Sequence, residues 1–339
     1  MLTIRKQGKK RVRPLRASGR FFPTLRTLRK DPKWVITQAL MRAIAPFVLP
    51  RMAAATLARM GTRWRVPPRF LAEDRPSLFP DLEVSEAVSA LKHDGVYLGI
   101  NLPAEVLSDI LEYCSTAVLY GNQDPAMGFR HSQQAAAEEK NGRPFSIACF
   151  FNTVKDCPAI RALTEDSGLL AIAAAYLGCV PRFHGIHLRK SYVVSTSDWE
   201  RSEKLAQWFH SDYNDYNFVK FFFYLTDVDR LSGPTTFVLG THRRKKLRHQ
   251  FDQLNRFEDG ELEADYGKGR VMAVQGPAGF GFAVDTYGFH KGDPPRRRGR
   301  ILLELEYGMF YFHRDRRDLR DASLLRTVVE PPPVSVASR

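Results

Sequence analysis

The chain reads as a mainly β fold with supporting α, an all-β sandwich or jelly roll preceded by helices. Helical periodicity is confined to the residues before Gly178, while seven short β-type runs separated by turn residues follow Pro181. The 339 residues and 12 % aromatic content are those of a globular protein with a sizeable core, as one domain plus extensions or two modest ones.

In chain order, Asp31-Pro32 offers a cap and a first-turn proline for a helix through residues 34–45, which Pro46 and Pro50 interrupt. A second amphipathic stretch covers 52–60, and Val66-Pro67-Pro68 closes the region. The body starts near Val84 with a helix over 86–93 and a short strand from Asp94-Gly95-Val96-Tyr97. Residues 103–120 form an amphipathic helix with Ala104, Leu107, Ile110 and Leu111 on one face. Residues 121–145 are polar and punctuated by Gly and Pro, a loop or lid. A helix over 167–177 ends at Gly178. The β runs are 183–188, 192–195, 219–225, 235–239, 271–274, 281–284 and 301–307, with no internal repeat. The expected layout is a basic, partly amphipathic extension (1–70), a body (84–312) and a polar tail (313–339), with 314–321 an exposed, self-compensated helix and Pro331-Pro332-Pro333 in disorder.

Charge is unevenly spread. Residues 1–70 hold eighteen Lys/Arg against Asp31 alone, a net +17; the whole chain is +14, so residues 71–339 carry −3. Basic flanks around Trp34, Phe47, Trp64 and short proline-broken helices suit an anionic membrane surface. A disordered or self-docking extension and a nucleic-acid contact are the other readings of the same arm, and the acidic body speaks against nucleic acid. The near absence of acids also resembles an organellar transit segment. Cys114, Cys149, Cys157 and Cys179 show no zinc spacing and no C-x-x-C, and read as buried free thiols of a reducing compartment, hence cytoplasmic. No apolar run reaches bilayer-spanning length.

Chemistry concentrates at His210-Ser211-Asp212. On an extended strand, residues i and i+2 face the same way, so both side chains can reach one metal. His290 ends another strand eighty residues on, and two imidazoles with one carboxylate on one face of Fe(II) leave the other face open for co-substrate and O2. Arg300 opens the next strand, where a planar guanidinium can pair with a distal carboxylate.

The layout resembles the phytanoyl-CoA dioxygenase family of Fe(II)- and 2-oxoglutarate-dependent oxygenases. The features that carry the resemblance are Leu91-Lys92-His93-Asp94-Gly95-Val96, residues 169–178, Trp208-Phe209-His210-Ser211-Asp212, Tyr224-Leu225-Thr226-Asp227, residues 233–242, and His290 with Arg300. It covers roughly residues 84–312. It implies a double-stranded β-helix of cupin type, His210, Asp212 and His290 as iron ligands, Arg300 as anchor for 2-oxoglutarate, and ascorbate as a reductant. Leu239-Gly240-Thr241-His242 departs from the family's usual Pro-Gly-Ser-His and touches no ligand. Asp212 stands where related halogenases carry a small residue, which favours hydroxylation.

The other polar residues have plainer readings. His242 is a turn residue, His184 and His187 fall on opposite strand faces, and Asp227 and Asp229 cap a turn. Arg243-Arg244-Lys245-Lys246 with Arg248 is a solvated face or an attractor for an anionic substrate. The expectation is a dioxygenase hydroxylating an aliphatic C–H of an anionic small-molecule or lipid-linked substrate, cytoplasmic or membrane-associated. The rival is a catalytically retired jelly roll acting as a scaffold through its basic arm.

Overall fold

A computed structural model describes residues 32–60, 76–195, 208–252, 255–310 and 318–329. Five helices make the support: α1 (Pro32–Ile44), α2 (Val48–Met60), α3 (Val84–His93) and α4 (Ala104–Thr116) precede the main strands, and α8 (Ser167–Leu177) leads into them. Between α4 and α8 lie α5 (Gln134–Asn141), α6 (Thr153–Asp156) and α7 (Pro158–Thr164). The strands are β1 (Val96–Leu98), β2 (Leu119–Gly121), β3 (Gly128–Phe129), β4 (Ile147–Phe150), β5 (Arg182–Ser191), β6 (Phe218–Tyr224), β7 (Thr235–Val238), β8 (Val271–Val274), β9 (Gly281–Val284), β10 (His290–Gly292) and β11 (Arg300–Gly308).

They form an eight-stranded sheet, β1-β9-β6-β11-β5-β4-β2-β3, and a three-stranded sheet, β10-β7-β8. Every strand pairing is antiparallel, and the chain passes repeatedly from one sheet to the other between β6 and β11. That is the expected jelly roll.

Period-two alternation decides what each face of the large sheet meets. In β6, Val219, Phe221 and Phe223 join the helix-side core with Leu169, Ile172 and Leu177 of α8. The alternate residues Phe222 and Tyr224 pack between the sheets with Phe237, Val274, Phe282 and Leu302. Because helices cover one face and the small sheet the other, all seven residues of β6 are buried, and no polar alternation marks it in the sequence. Asp166 caps α8 by accepting from Leu169 N at 2.9 Å, and Gly178 ends it at φ +70°, where a side chain would be strained.

Five local expectations change. Residues 192–195 are not a strand: β5 stops at Ser191, which is also where its partners β4 and β11 begin, so no ladder remains to extend. Residues 121–145 are not one loop but carry β3 and α5, and the helix over 103–120 ends at Thr116, with Leu119 and Tyr120 entering β2. These strands are two to four residues long, too short to show a period. Pro50 does not break a helix; it sits in the first turn of α2, where its missing N–H has no partner to lose. Of the 314–321 segment, 314–317 lie outside the described residues, and Asp318 is buried, accepting from Thr153 N (2.9 Å) and Thr153 Oγ1 (2.8 Å) at the start of α6.

A buried charge stands at the end of β11. His184 Nδ1 meets Glu306 Oε1 at 3.0 Å, and its Nε2 meets Phe310 O at 2.6 Å and Asp215 Oδ2 at 3.5 Å. A Cβ on Gly308 would lie 2.1 Å from the His184 ring, so only glycine lets the strand pass. Burial opposes charge on the imidazole, but the Asp215 and Glu306 carboxylates outweigh it and hold His184 up to about 9. The folded state therefore binds a proton that the unfolded chain releases above its ordinary value of roughly 6.5. Stability from this group is complete below pH 6.5 or so and disappears as pH rises through about 9. Thermal melting should fall between pH 7 and 9 in wild type. The fall should be shallower in His184→Gln, and equal slopes in the two proteins would remove the charged imidazole from the account.

Candidate metal centre

His210, Asp212 and His290 come from two chain segments that meet at the open edge of the small sheet. His210 and His290 form a reciprocal antiparallel pair, each N–H donating to the other's carbonyl at 3.0 Å. This pairing places the imidazoles side by side, with ring centroids 4.3 Å apart. Each ring is held the same way: His210 Nδ1 donates to Trp208 O (2.9 Å) and His290 Nδ1 to Gly288 O (3.0 Å). A carbonyl can only accept, so both Nδ1 atoms carry the hydrogen and both Nε2 atoms present a lone pair. Burial, then the neighbouring His210, pushes His290 down to about 3, so its ring is neutral at ordinary pH.

Asp212 completes the set. His210 Nε2 lies 3.8 Å from Asp212 Oδ1, and His290 Nε2 lies 3.6 Å from Asp212 Oδ2. Ligands about 2.1 Å from one ion at right angles would sit roughly 3 Å apart, so small side-chain rotations close this triangle on a metal. Among the described residues, one other cluster has metal-type donors, His249, Glu261 and Asp265. There Lys246 and Arg248 already pair with Asp265, which leaves little negative charge for a cation.

Arg300 lines the same cavity as the three candidate ligands. Its guanidinium is buried; Nη1 reaches Thr235 Oγ1 at 3.3 Å, and Nε has no hydrogen-bond partner. An arginine buried with an unsatisfied N–H and, among the described residues, no carboxylate within ion-pair distance is costly unless a ligand supplies one. Arg300 opens β11 in the large sheet, and its guanidinium reaches across to Thr235, which pairs with Gly292, two residues along β10 from His290. That spacing is roughly 7 Å.

Sequence reasoning missed two anchors of this site and, beside the first, the Glu304 and Glu306 carboxylates. Lys220 Nζ donates to Asp212 Oδ2 (2.7 Å) and to Glu304 Oε1 (2.8 Å), and lies 3.4 Å from Glu306 Oε2. Lys220 thereby fixes the orientation of the Asp212 carboxylate beside the two imidazoles. The signal was present: a lysine within an aromatic strand, and Glu304 and Glu306 spaced by two in Leu-Leu-Glu-Leu-Glu-Tyr. The second anchor is Arg51 of α2. Its Nη atoms donate to Tyr216 O (3.1 Å) and His242 O (3.0 Å), and its guanidinium lies 3.6 Å over the Tyr287 ring. Lys245 Nζ lies 3.7 Å from the same ring and donates to Ser211 Oγ at 2.6 Å. The residue between the two ligands is thereby tied to the N-terminal helix.

The remaining candidates, His187 apart, fall away from the cavity. His242 is buried in the turn after β7, 3.3 Å from Lys92 O. His184 faces the charge pair described above, and the sequence expectation that it and His187 take opposite faces fails: a β-bulge opposite Glu306 leaves His184 on the Glu304/Glu306 face, which also carries His187 to the cavity wall. Asp227 and Asp229 accept from backbone N–H groups of Ala278 and Leu231. The basic run divides: Lys245 is buried, Lys246 and Arg248 pair with Asp265, and Arg243 and Arg244 are exposed.

No protein-family model matches the chain, and no curated protein sequence matches it. Among solved structures, it is similar to the non-heme alpha ketoglutarate dependent carbocyclase SnoK from nogalamycin biosynthesis (17 % identity, 69 % of this chain and 86 % of that one, TM-score 0.46). EctD from S. alaskensis, solved with 2-oxoglutarate and 5-hydroxyectoine, gives 15 % identity over 79 % and 94 %, TM-score 0.46. The epimerase SnoN of the same nogalamycin biosynthesis gives 14 % over 66 % and 82 %, TM-score 0.45. At identities and TM-scores this low, the likeness assigns this chain neither activity nor substrate.

Arg51→Ala removes a ring contact and two charge-assisted bonds that hold the turn after β7 and, through Tyr287 and Lys245, the residue between the ligands. A loss of about 3 kcal/mol in urea unfolding is expected; a loss under about 0.5 kcal/mol would mean that α2 is dispensable to the body.

Proposed function

We propose that this chain is a non-haem Fe(II)/2-oxoglutarate-dependent dioxygenase that hydroxylates an aliphatic C–H of an anionic small-molecule or lipid-linked substrate. The observation that carries the reading is the convergence on one cavity of two Nδ1-anchored imidazoles, the Asp212 carboxylate beside them and a buried arginine with no carboxylate partner among the described residues.

His210 Nε2, His290 Nε2 and the Asp212 carboxylate would hold the iron, and Arg300 would receive the far carboxylate of 2-oxoglutarate. Iron with 2-oxoglutarate and O2 supplies the oxidation of the C–H bond, with succinate and CO2 as co-products. The protein's own work is positional. The Trp208 and Gly288 carbonyls fix the tautomers, Lys220 fixes the carboxylate, and Phe222 on the cavity wall excludes water from that side. His187, Gln123 and Arg189 stand on the wall as donors for polar or acidic groups of a substrate, although Arg189 shares its charge with Glu304 at 3.3 Å. Asp212 favours hydroxylation over halogenation because a carboxylate fills the position a halide would need. Ascorbate would serve as reductant. The reading places the enzyme in the cytoplasm.

Anaerobic titration with Fe(II) and 2-oxoglutarate should raise a weak visible charge-transfer band in wild type. His210→Ala should abolish it, and Arg300→Ala should require on the order of a hundredfold more 2-oxoglutarate, the worth of two charge-assisted bonds. Folded wild-type protein without the band would turn the reading to a retired scaffold.

Lys220→Met removes the bond that orients Asp212 and leaves Glu304 without its closest cation. Divalent affinity, followed by Mn(II) or Co(II) titration without any turnover, should weaken by about tenfold to a hundredfold. An unchanged Kd would show that Asp212 needs no such support.

A further inference from the structure

Helix α2 is amphipathic in the wrong sense for a helix that only supports a core. It buries Val48, Arg51 and Ala55, while Leu49 (77 % exposed), Leu57 (69 %) and Met60 (76 %) point outward with Met52. These positions recur at helical spacing and so form one stripe. On α1, Ile36 and Leu40 are also exposed, at 63 % and 54 %. The stripe continues onto the body. Val48 N donates to Gln250 Oε1 at 2.8 Å, and the Phe47 and Phe251 rings meet at 5.0 Å, so the 243–251 segment runs against the start of α2. In that segment the exposed residues are Arg243, Arg244, Lys246, Leu247 (71 %), Arg248 and Phe251 (67 %). Of the acids that face this segment, Asp265 is shared by Lys246 and Arg248, and Glu261 lies against His249.

We infer that this face, made by α1, α2 and residues 243–251, seats on an anionic lipid surface. Eight large apolar side chains exposed in one region are more than scattered surface hydrophobics, and cations are interleaved with them. The charge selects the occupant. Residues 1–70 carry +17 in sequence, so two copies meeting through this face would bring like charges together, whereas anionic headgroups complement them. The inference goes beyond the proposed chemistry and does not depend on it. It also gives the face a mechanical neighbour, because Arg51 on the buried side of α2 braces Tyr287, which contacts the lysine that holds Ser211.

The test is co-sedimentation of the full chain with vesicles of phosphatidylcholine alone and of phosphatidylcholine with phosphatidylglycerol, at low and high salt, without iron or 2-oxoglutarate. Wild type should pellet with the anionic vesicles and lose affinity in salt. Leu57→Glu with Met60→Glu, which changes only exposed positions and keeps the basic arm, should weaken binding at least tenfold. Leu57→Trp should blue-shift its emission on anionic vesicles, a readout that electrostatic tethering by the arm alone would not produce. Overlapping circular dichroism melts establish that the variants fold. Wild type that fails to pellet, a double variant that binds like wild type, or a dimer that the double variant dissociates without any lipid binding would each overturn the inference.

Discussion

Two hydrogen bonds between His210 and His290 hold together most of what matters in this molecule. They are ordinary antiparallel ladder bonds, but they join segments eighty residues apart and bring both imidazoles to the same side. Everything between them, β6 through β9, forms the walls that keep the pair in register. A slip of one residue in either segment would turn an imidazole to the opposite face. The candidate centre is thus a property of sheet register before it is a property of the histidines.

The same register loads the interior with charge. In the β6–β11 ladder, Lys220 lies opposite Glu306, with Glu304 one inward position along. Lys220 contacts Asp212 and Glu304, Arg189 contacts Glu304 from the cavity side, and His184 sits against Glu306 and Asp215 at the far end. Signs alternate along this row, so each buried group has an opposite neighbour. Replacing it with apolar side chains would pack a sheet as well. What the row adds is orientation of the one carboxylate that faces both imidazoles.

The N-terminal helices reach the candidate centre through Arg51. It enters between the Tyr216 and His242 carbonyls and lies on Tyr287, so α2 adds a cation in an aromatic and carbonyl setting to the small apolar contacts of Val48 and Ala55. That mode of attachment explains how a helix rich in Leu and Met can bury so few of them. No helix among the described residues is long and apolar enough to cross a membrane.

Much of this was legible in the chain. Gly178 and its preceding alanine-rich run determined α8, and β8 and β9 span 271–274 and 281–284 as their local patterns require, because bounded apolar runs between turns leave few alternatives. His210-x-Asp212 and the strand-end His290 were singled out because a two-residue spacing on an extended chain puts side chains on one face whatever the surroundings. Tertiary structure decided the rest. Strands of two to four residues such as β2 and β3 form because a neighbour offers a ladder, which local propensity does not encode. The end of β5 at Ser191 is set by where its partners begin. The roles of Lys220, Arg51 and Asp318 depend on contacts 84, 191 and 165 residues away, distances over which only the closed fold brings groups together.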